Sequence, residues 1–257
     1  MEKKGQATLF IILGIIVVAL VVLFFYARGS IYVPPTQEGL SAEMGQIEDH
    51  VYDCLTDIGE DYIEQIGLQG GYLATPEDTY VLWDDTTVSY LCYNQEGLPY
   101  CTNRMLTLVS METELQDAIE QALSTCINVF QFGGVVETYE VVAPEGFTLD
   151  VDIEDSVVKL LLTYPVMLVS KDGDVTVEED IFAGNVNAPL GELYSVAMEV
   201  LDYETEFGEF DQLSYVLTKQ GEYTIYKHRP YPDKIYELKL RENDYIFRFA
   251  VQGESLT

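Results

Sequence analysis

Residues 9–25 read Leu-Phe-Ile-Ile-Leu-Gly-Ile-Ile-Val-Val-Ala-Leu-Val-Val-Leu-Phe-Phe, and this apolar run divides the chain into two unlike parts. No charged residue occurs from Gly5 to Ala27. A helix over this stretch, at about 1.5 Å per residue, spans roughly 34 Å, which is enough to cross the hydrocarbon core of a bilayer. The sequence therefore predicts one transmembrane helix over residues 6–28.

The residues that flank the apolar run predict its orientation. Lys3 and Lys4 precede the run, and basic residues favour the cytoplasmic side of a membrane. Tyr26 lies at the other end, where an aromatic ring suits the membrane interface. We therefore expect a single-pass protein of the cell membrane, with a cytoplasmic N-terminus and an extracellular C-terminal domain.

The composition excludes several classes of protein. The 257 residues include 44 acidic and 13 basic side chains, which give a formal net charge of -31. Nucleic acids are bound through clustered Lys and Arg, so this balance excludes a nucleic-acid-binding protein. Hydrophobic residues make up 48% of the chain, which is enough for a core and excludes wholesale disorder.

The residues before the apolar run are Lys3-Lys4-Gly5-Gln6. Together with the run they resemble the class III, prepilin-type signal peptide of archaeal type IV pilin-like proteins, over residues 1–25. The resemblance implies that a prepilin peptidase cleaves between Gly5 and Gln6 and removes a leader of residues 1–5. The apolar helix then stays on the mature protein, anchors it in the membrane and later packs in the core of a filament.

The resemblance implies that the large apolar side chains of this helix make the assembly contacts: Leu9, Phe10, Ile12, Leu13, Ile16, Val17, Leu20, Leu23 and Phe24. Two features depart from the family pattern. Many pilins carry Glu at the fifth mature position, which here is Phe10, and Pro34-Pro35 interrupts a helix soon after the span. Two other fates of the segment stay open: a retained anchor, and a secretory signal cut near Ala27-Arg28-Gly29.

Residues 29–40 predict a linker, and residues 41–257 predict one acidic extracellular domain. Apolar spacings of three and four predict helices over 41–66 and 111–130 and a shorter one after Pro189. Strands are predicted over 80–83, 87–93, 135–142, 147–153, 157–170, 175–182, 213–217, 223–227, 235–240 and 245–251. The predicted fold class is α+β: a transmembrane helix, then a disulfide-bonded domain in which two or three helices pack on antiparallel β-sheet.

The four cysteines all lie beyond the apolar run. An even number of cysteines in an extracytoplasmic domain favours two disulfides. Of the three pairings we favour Cys92–Cys101, which flank a hairpin-like segment, with Cys54–Cys126, which lie on the apolar sides of predicted helices. Four free thiols are the alternative, whereas a zinc site lacks the close ligand spacing that zinc requires.

A search for catalytic motifs finds no His-Glu-x-x-His, Gly-x-Ser-x-Gly or phosphate-binding glycine loop. We therefore expect no enzyme, no metal site and no cofactor, apart from loosely bound divalent cations. His50 is predicted to be solvated, and residues 226–232 to form a basic loop or an intersubunit contact. Asp172-Gly173-Asp174 fits a hairpin turn better than a calcium loop, and residues 202–211, which alternate acidic with aromatic side chains, predict a solvated helix end and loop.

These features predict a pilin-like structural subunit of the cell surface. It assembles or anchors through its hydrophobic helix and exposes the acidic domain for adhesion or subunit contacts. The predicted partners are the lipid bilayer, further copies of the chain in an extracellular filament, and a prepilin peptidase. The alternative is a single-pass, membrane-anchored extracellular binding protein that does not polymerise.

Overall fold

The structure is a computed structural model that describes residues 16–20, 37–95, 101–131, 139–171 and 173–253. Residues 16–20 are helical and exposed. The remainder of the transmembrane helix predicted over 6–28 lies outside the described residues. Within the described ranges, no helix combines the length and the apolar character that a membrane crossing requires.

Helix α1 spans Gln37–Leu68 and is the central element of the domain. Its buried side chains recur every three or four residues, so they form one apolar stripe along the helix. The helix begins four residues before the predicted start at Ser41, and the predicted linker over 29–40 is therefore too long. The reason is Leu40, which is fully buried one turn before Met44 and extends the stripe.

Three further helices and ten strands follow α1 in the described part of the chain. The helices are α2 (Leu108–Cys126), α3 (Leu190–Phe207) and α4 (Gln212–Thr218). The strands are β1 (Tyr80–Trp83), β2 (Thr86–Tyr93), β3 (Thr102–Asn103), β4 (Tyr139–Val142), β5 (Thr148–Ile153), β6 (Val158–Ser170), β7 (Thr176–Val186), β8 (Tyr223–His228), β9 (Lys234–Leu240) and β10 (Phe247–Val251).

The four-stranded sheet is built around β6, the longest strand. β7 pairs with one side of β6, while β5 and β4 pair with successive halves of the other side, and all pairs are antiparallel. Side chains of β6 alternate between buried and exposed from Val158 to Val166, as expected for a sheet with one covered face. α1 packs against β6 and β7, and α2 packs against α1 and β5.

The six-stranded sheet has the order β1-β2-β10-β9-β8, with β3 paired to β2. β2 and β10 run parallel, so the prediction of antiparallel sheet is wrong at this pair. A parallel pair is allowed here because the connection from β2 to β10 passes through most of the domain. The sheet curls until its ends meet, since the rings of Trp83 in β1 and His228 in β8 lie 5.1 Å apart.

One cluster of buried hydrophobic residues joins α1, α2, α3 and both sheets. A second, small cluster of Val88, Ile235 and Ala250 lies inside the curl of the six-stranded sheet. Helices packed on β-sheet around a shared core, with two disulfides, confirm the predicted mixed α+β class for the described part of the chain.

Three further predicted helical or strand segments differ clearly in the structure. Residues 213–217, predicted as a strand, belong to helix α4, because the side chain of Asp211 caps this helix by accepting from the amide of Ser214. α2 ends at Cys126 instead of continuing to residue 130, and a 3₁₀ turn follows at Val129–Gln131. α3 is longer than the short helix predicted after Pro189.

Gly191, near the start of α3, lies against the chain between β5 and β6. A Cβ atom at this position would be 2.7 Å from the backbone oxygen of Glu154. We expect Gly191→Ala to lower the free energy of unfolding by about 2–3 kcal/mol, because backbone must shift to relieve the contact.

The matched control is Gly45→Ala in α1, where no atom lies within 4 Å of the added Cβ. This change is expected to raise the free energy of unfolding by about 0.5–1 kcal/mol, since alanine loses less backbone entropy in a helix. Urea denaturation of both variants measures the difference. Similar effects of the two substitutions would contradict the close packing at Gly191.

Candidate functional site

Both of the favoured cysteine pairs are present as disulfides. Cys54 in α1 is bonded to Cys126 at the end of α2, with their Cα atoms 6.0 Å apart. Cys92 in β2 is bonded to Cys101, with a Cα–Cα distance of 5.2 Å. The first disulfide fixes α1 to α2, and the second closes the segment that leads from β2 to β3. Structural disulfides are rare in reducing compartments.

His50 lies beside the Cys54–Cys126 disulfide. Its Nε2 atom is 3.3 Å from the backbone oxygen of Cys126 and 3.8 Å from Cys54 Sγ. The side chain is half-buried, so the prediction of a solvated His50 is wrong. The physical reason is that the end of α2, which the disulfide holds in place, covers this turn of α1.

A group of polar and charged side chains, largely buried except for Glu209, connects α3 to the six-stranded sheet. We name it the Glu204 cluster, and it consists of Glu204, Glu209, Lys227, Lys234 and Tyr236. The side chain of Glu204 is only 1% exposed and that of Lys227 only 4%. Charges that are removed from water require partners, and this cluster supplies them internally.

Both carboxylate oxygens of Glu204 accept hydrogen bonds. Oε2 accepts from Lys234 Nζ at 2.6 Å. Oε1 accepts from the Tyr236 hydroxyl and from the backbone amide of Phe210, the latter at 3.0 Å. Glu204 therefore ties the end of α3 to β9 and also orders the chain between α3 and α4.

Lys227 of β8 completes the cluster. Its Nζ atom lies 3.8 Å from Glu204 Oε1. It donates to Glu209 Oε1 at 2.7 Å and to the backbone oxygen of Phe210 at 2.8 Å. The lysine is thus held by three oxygens, and the loop between α3 and α4 is fixed to β8.

The cluster shifts the pKa values of two of its members. Burial, followed by the hydrogen bond to Glu204, raises the pKa of the Tyr236 hydroxyl well above its ordinary value, so this group remains a donor. Burial alone would raise the pKa of Glu209, but the hydrogen bonds and charges of Lys227 and Lys234 outweigh it and lower that pKa.

The sequence missed Glu204 because residues 202–211 were predicted to be solvated. In the structure Glu204 and Phe210 are buried, whereas most of the other residues in this stretch are exposed. The spacing of Glu204 could have indicated its burial. Glu204 follows Val200 by four residues and Leu201 by three, so it continues the apolar stripe of α3.

The basic segment 226–232 also differs from its prediction. Residues 226–228 belong to β8, and Lys227 points into the Glu204 cluster. Arg229 Nη2 donates to Glu209 Oε1 at 2.6 Å. His228 Nε2 lies 3.3 Å from Glu237 Oε2. Lys227 and Arg229 are therefore paired with carboxylates of the same chain.

Most cations of the acidic domain form ion pairs with carboxylates of the same chain. Of the ten basic residues that follow residue 30, seven form ion pairs with carboxylates within the described ranges: Lys159, Lys219, Lys227, Arg229, Lys234, Lys239 and Arg248. The carboxylates are far more numerous, so most of them face solvent without a cation. The surface of the domain is consequently strongly acidic.

A groove lies between the end of α1, the end of β7 and the turn before β10. It has a volume of about 570 Å³ and is lined by Glu60, Glu64, Glu242 and Asp244, among others. Among the described residues, no group of three or more His, Cys, Asp or Glu side chains is arranged to hold a metal ion. Asp172, the first residue of the predicted hairpin turn, lies outside the described residues.

Most of the predicted assembly residues lie outside the described residues. The processing site Gly5-Gln6 lies outside the described residues, together with Leu9, Phe10, Ile12, Leu13, Leu23 and Phe24. Ile16, Val17 and Leu20 belong to the described helical stretch and are 51%, 51% and 61% exposed.

No protein-family model, curated protein or solved structure matches this chain. Three features of the chain itself bear on its function: the apolar N-terminal sequence, the two disulfides, and an acidic surface whose cations are mostly paired.

A pH-dependent effect is expected at Glu209. Its lowered pKa means that the carboxylate stabilises the folded state above its ordinary pKa of 4.5 and loses this effect as the pH falls through the lowered value. We expect Glu209→Gln to reduce the free energy of unfolding at pH 7 by up to about 1 kcal/mol, because the side chain is half exposed and screened.

The difference between Glu209→Gln and wild type should shrink as the pH is lowered from 7 to 3. Urea denaturation across this range measures it, with Glu206→Gln as the control for loss of a nearby exposed carboxylate. A difference that stays constant with pH would contradict the assignment of the effect to the ionised carboxylate.

Proposed function

We propose that this chain is a pilin-like structural subunit of the cell surface, anchored by the apolar helix predicted over residues 6–28. The uncharged run from Gly5 to Ala27 supports the anchor. The two disulfides support placement of the domain in an oxidising compartment. The acidic surface supports contact of the domain with water.

The observation that carries this proposal is the position of α1. This helix is the first element of the described domain after the apolar run, and it packs against β-strands of both sheets and against α2. The Cys54–Cys126 disulfide fixes α1 covalently to α2. A subunit that is held by its N-terminus needs such a rigid link, because every force on the anchor passes through the element that follows it.

Assembly follows from the physical chemistry of the apolar helix. An apolar helix is stable in the bilayer and leaves it only when packing against other apolar helices replaces the contacts with lipid. The acidic domains then come close together, and their repulsion must be screened by salt or bridged by cations. We therefore propose that the helices supply the attraction between subunits and that the domains face solvent.

A membrane tether that does not polymerise is the second candidate function. The observation that favours it is the acidic surface, because two copies of the domain repel one another at low salt. In this alternative the apolar helix only holds the domain at the membrane, and the domain binds a partner.

Two substitutions separate the fates of the N-terminal segment. In the proposed route, Gly5→Val blocks removal of residues 1–5, whereas Gly29→Val leaves the processing unchanged. A secretory signal cut near Ala27-Arg28-Gly29 gives the opposite pattern, and a retained anchor is insensitive to both changes. Mass spectrometry of the mature N-terminus in wild type and both variants is the measurement.

Electron microscopy of material sheared from the cell surface tests assembly. The proposal predicts filaments that contain the protein in wild type and in Gly29→Val, and none in Gly5→Val. If processing occurs between Gly5 and Gln6 but no filament contains the protein, the polymerising function is wrong and the tether remains.

A further inference from the structure

The exposed faces of α3 and α4 carry a group of large apolar side chains. We name Tyr203, Phe207, Leu213 and Leu217 the α3–α4 surface, and their exposed fractions are 50%, 65%, 67% and 70%. Tyr203 and Phe207 in α3 are spaced by four residues, as are Leu213 and Leu217 in α4, so the members of each pair lie on one face of their helix. Exposed apolar side chains that are grouped in this way typically mark a binding surface.

Packing from below holds this surface in place. The ring of Phe210 is buried and lies 5.8 Å from the ring of Tyr203 and 5.3 Å from that of Tyr215, so it connects α3 to α4. Lys219, just after α4, forms an ion pair of 3.3 Å with Glu199 of α3. The two helices are thus tied to each other at two points, and the surface is formed before a partner arrives.

Exposed carboxylates lie beside the apolar side chains. Residues 199–219 contain six acidic residues, and three of them form ion pairs with Lys or Arg: Glu199, Glu204 and Glu209. Asp202 and Glu206 are exposed immediately beside Tyr203 and Phe207, and no basic side chain in the described ranges pairs with either carboxylate. The rings of Tyr203 and Phe207 lie 5.7 Å apart. Aromatic faces and carboxylates both attract ammonium and guanidinium groups.

The charge of the surface selects the kind of partner. A second copy of the chain offers few cations, since seven of the ten basic residues after residue 30 are in ion pairs with its own carboxylates. An anionic lipid surface would be repelled by Asp202 and Glu206. A polypeptide that presents Lys or Arg beside apolar residues satisfies both features of the surface.

We propose that the α3–α4 surface docks a basic amphipathic segment of another protein. The apolar residues of that segment pack on Tyr203, Phe207, Leu213 and Leu217, and its Lys or Arg side chains pair with Asp202 and Glu206. The aromatic pair provides the anchoring contacts, and the carboxylates provide attraction at a distance and orientation. This proposal is independent of polymerisation, because it concerns a different partner and a different part of the chain.

The probe is a synthetic peptide of Leu and Lys, about 15 residues long, patterned as an amphipathic helix. It is titrated into the full-length protein in nanodiscs of zwitterionic lipid. Every variant sits in the same disc, so binding of the peptide to lipid cancels in the comparison. We expect Tyr203→Ser/Phe207→Ser to raise the Kd by about tenfold, since aromatic anchors carry most of the energy of such interfaces.

The matched control is Leu82→Ser/Val109→Ser, which removes two side chains of similar exposure, 69% and 70%, elsewhere on the domain. This control should bind as wild type does. Asp202→Asn/Glu206→Gln should weaken binding at low salt and abolish most of its salt dependence. Equal affinities of wild type and Tyr203→Ser/Phe207→Ser, or an equal loss in the control, would overturn the proposal and reduce the binding to general attraction by an acidic protein.

Discussion

Replacement of Glu204 by alanine should lower the free energy of unfolding by about 3–5 kcal/mol, which is the usual effect of removing one partner from a buried charged group. Glu204 accepts from Lys234, Tyr236 and the Phe210 amide, and its side chain is 1% exposed. Without it, the Lys227 side chain, which is 4% exposed, keeps its charge in a site that has lost its buried carboxylate.

The control for this prediction is Glu206→Ala, two residues further along α3. Glu206 is exposed, and its loss should change the free energy of unfolding by less than about 0.5 kcal/mol. Urea denaturation at neutral pH measures both variants. If Glu204→Ala and Glu206→Ala behave alike, the Glu204 cluster does not hold α3 on the six-stranded sheet.

Removal of the Cys54–Cys126 disulfide by Cys54→Ala/Cys126→Ala should cost about 4 kcal/mol of stability. The two cysteines are separated by 72 residues in sequence, so the disulfide restricts a large loop of the unfolded chain. It also fixes α1, the first helix of the described domain, to α2.

The Cys92–Cys101 disulfide provides the internal comparison, because its cysteines are separated by only 9 residues. Its removal by Cys92→Ala/Cys101→Ala should cost about 2.5 kcal/mol on the same loop-entropy argument. Thermal or urea unfolding of the two double variants measures which disulfide contributes more to stability. The reverse order would mean that packing around each disulfide, and not the length of the closed loop, decides its contribution.

Much of the fold could be predicted from local pattern. The stripe of α1 follows from apolar spacings of three and four, and the strands of the four-stranded sheet follow from alternation in stretches such as β6. The cysteine pairs could be favoured because two lie on helix faces and two flank a short segment. In each of these cases a local sequence rule and the tertiary environment agree.

The remaining features depend on contacts between distant residues. The pattern of apolar and polar residues over 213–217 is compatible with a strand and with a helix. The cap by Asp211 favours the helix. The parallel pairing of β2 with β10 and the contact between Trp83 and His228 join residues far apart in sequence. No local periodicity reports such contacts.

Local sequence pattern also does not identify the candidate sites. Acidic and aromatic residues alternate over 202–211, and the sequence alone does not separate the buried Glu204 and Phe210 from the exposed Tyr203 and Phe207. In the structure Glu204 at the end of α3 and Phe210 just after it contact Tyr236 of β9, whereas Tyr203 and Phe207 face solvent. One stretch of sequence thus supplies both a stabilising cluster and a proposed docking surface.

We propose that the apolar helix stays on a mature chain whose disulfide-bonded domain lies outside the cell. The decisive measurement is the intact mass of the protein, taken from membranes or from sheared surface material without reductant. We expect a chain that begins at Gln6 and is lighter by two hydrogens for each of its two disulfides. A chain that begins at residue 30, or one that carries four free thiols, would contradict it.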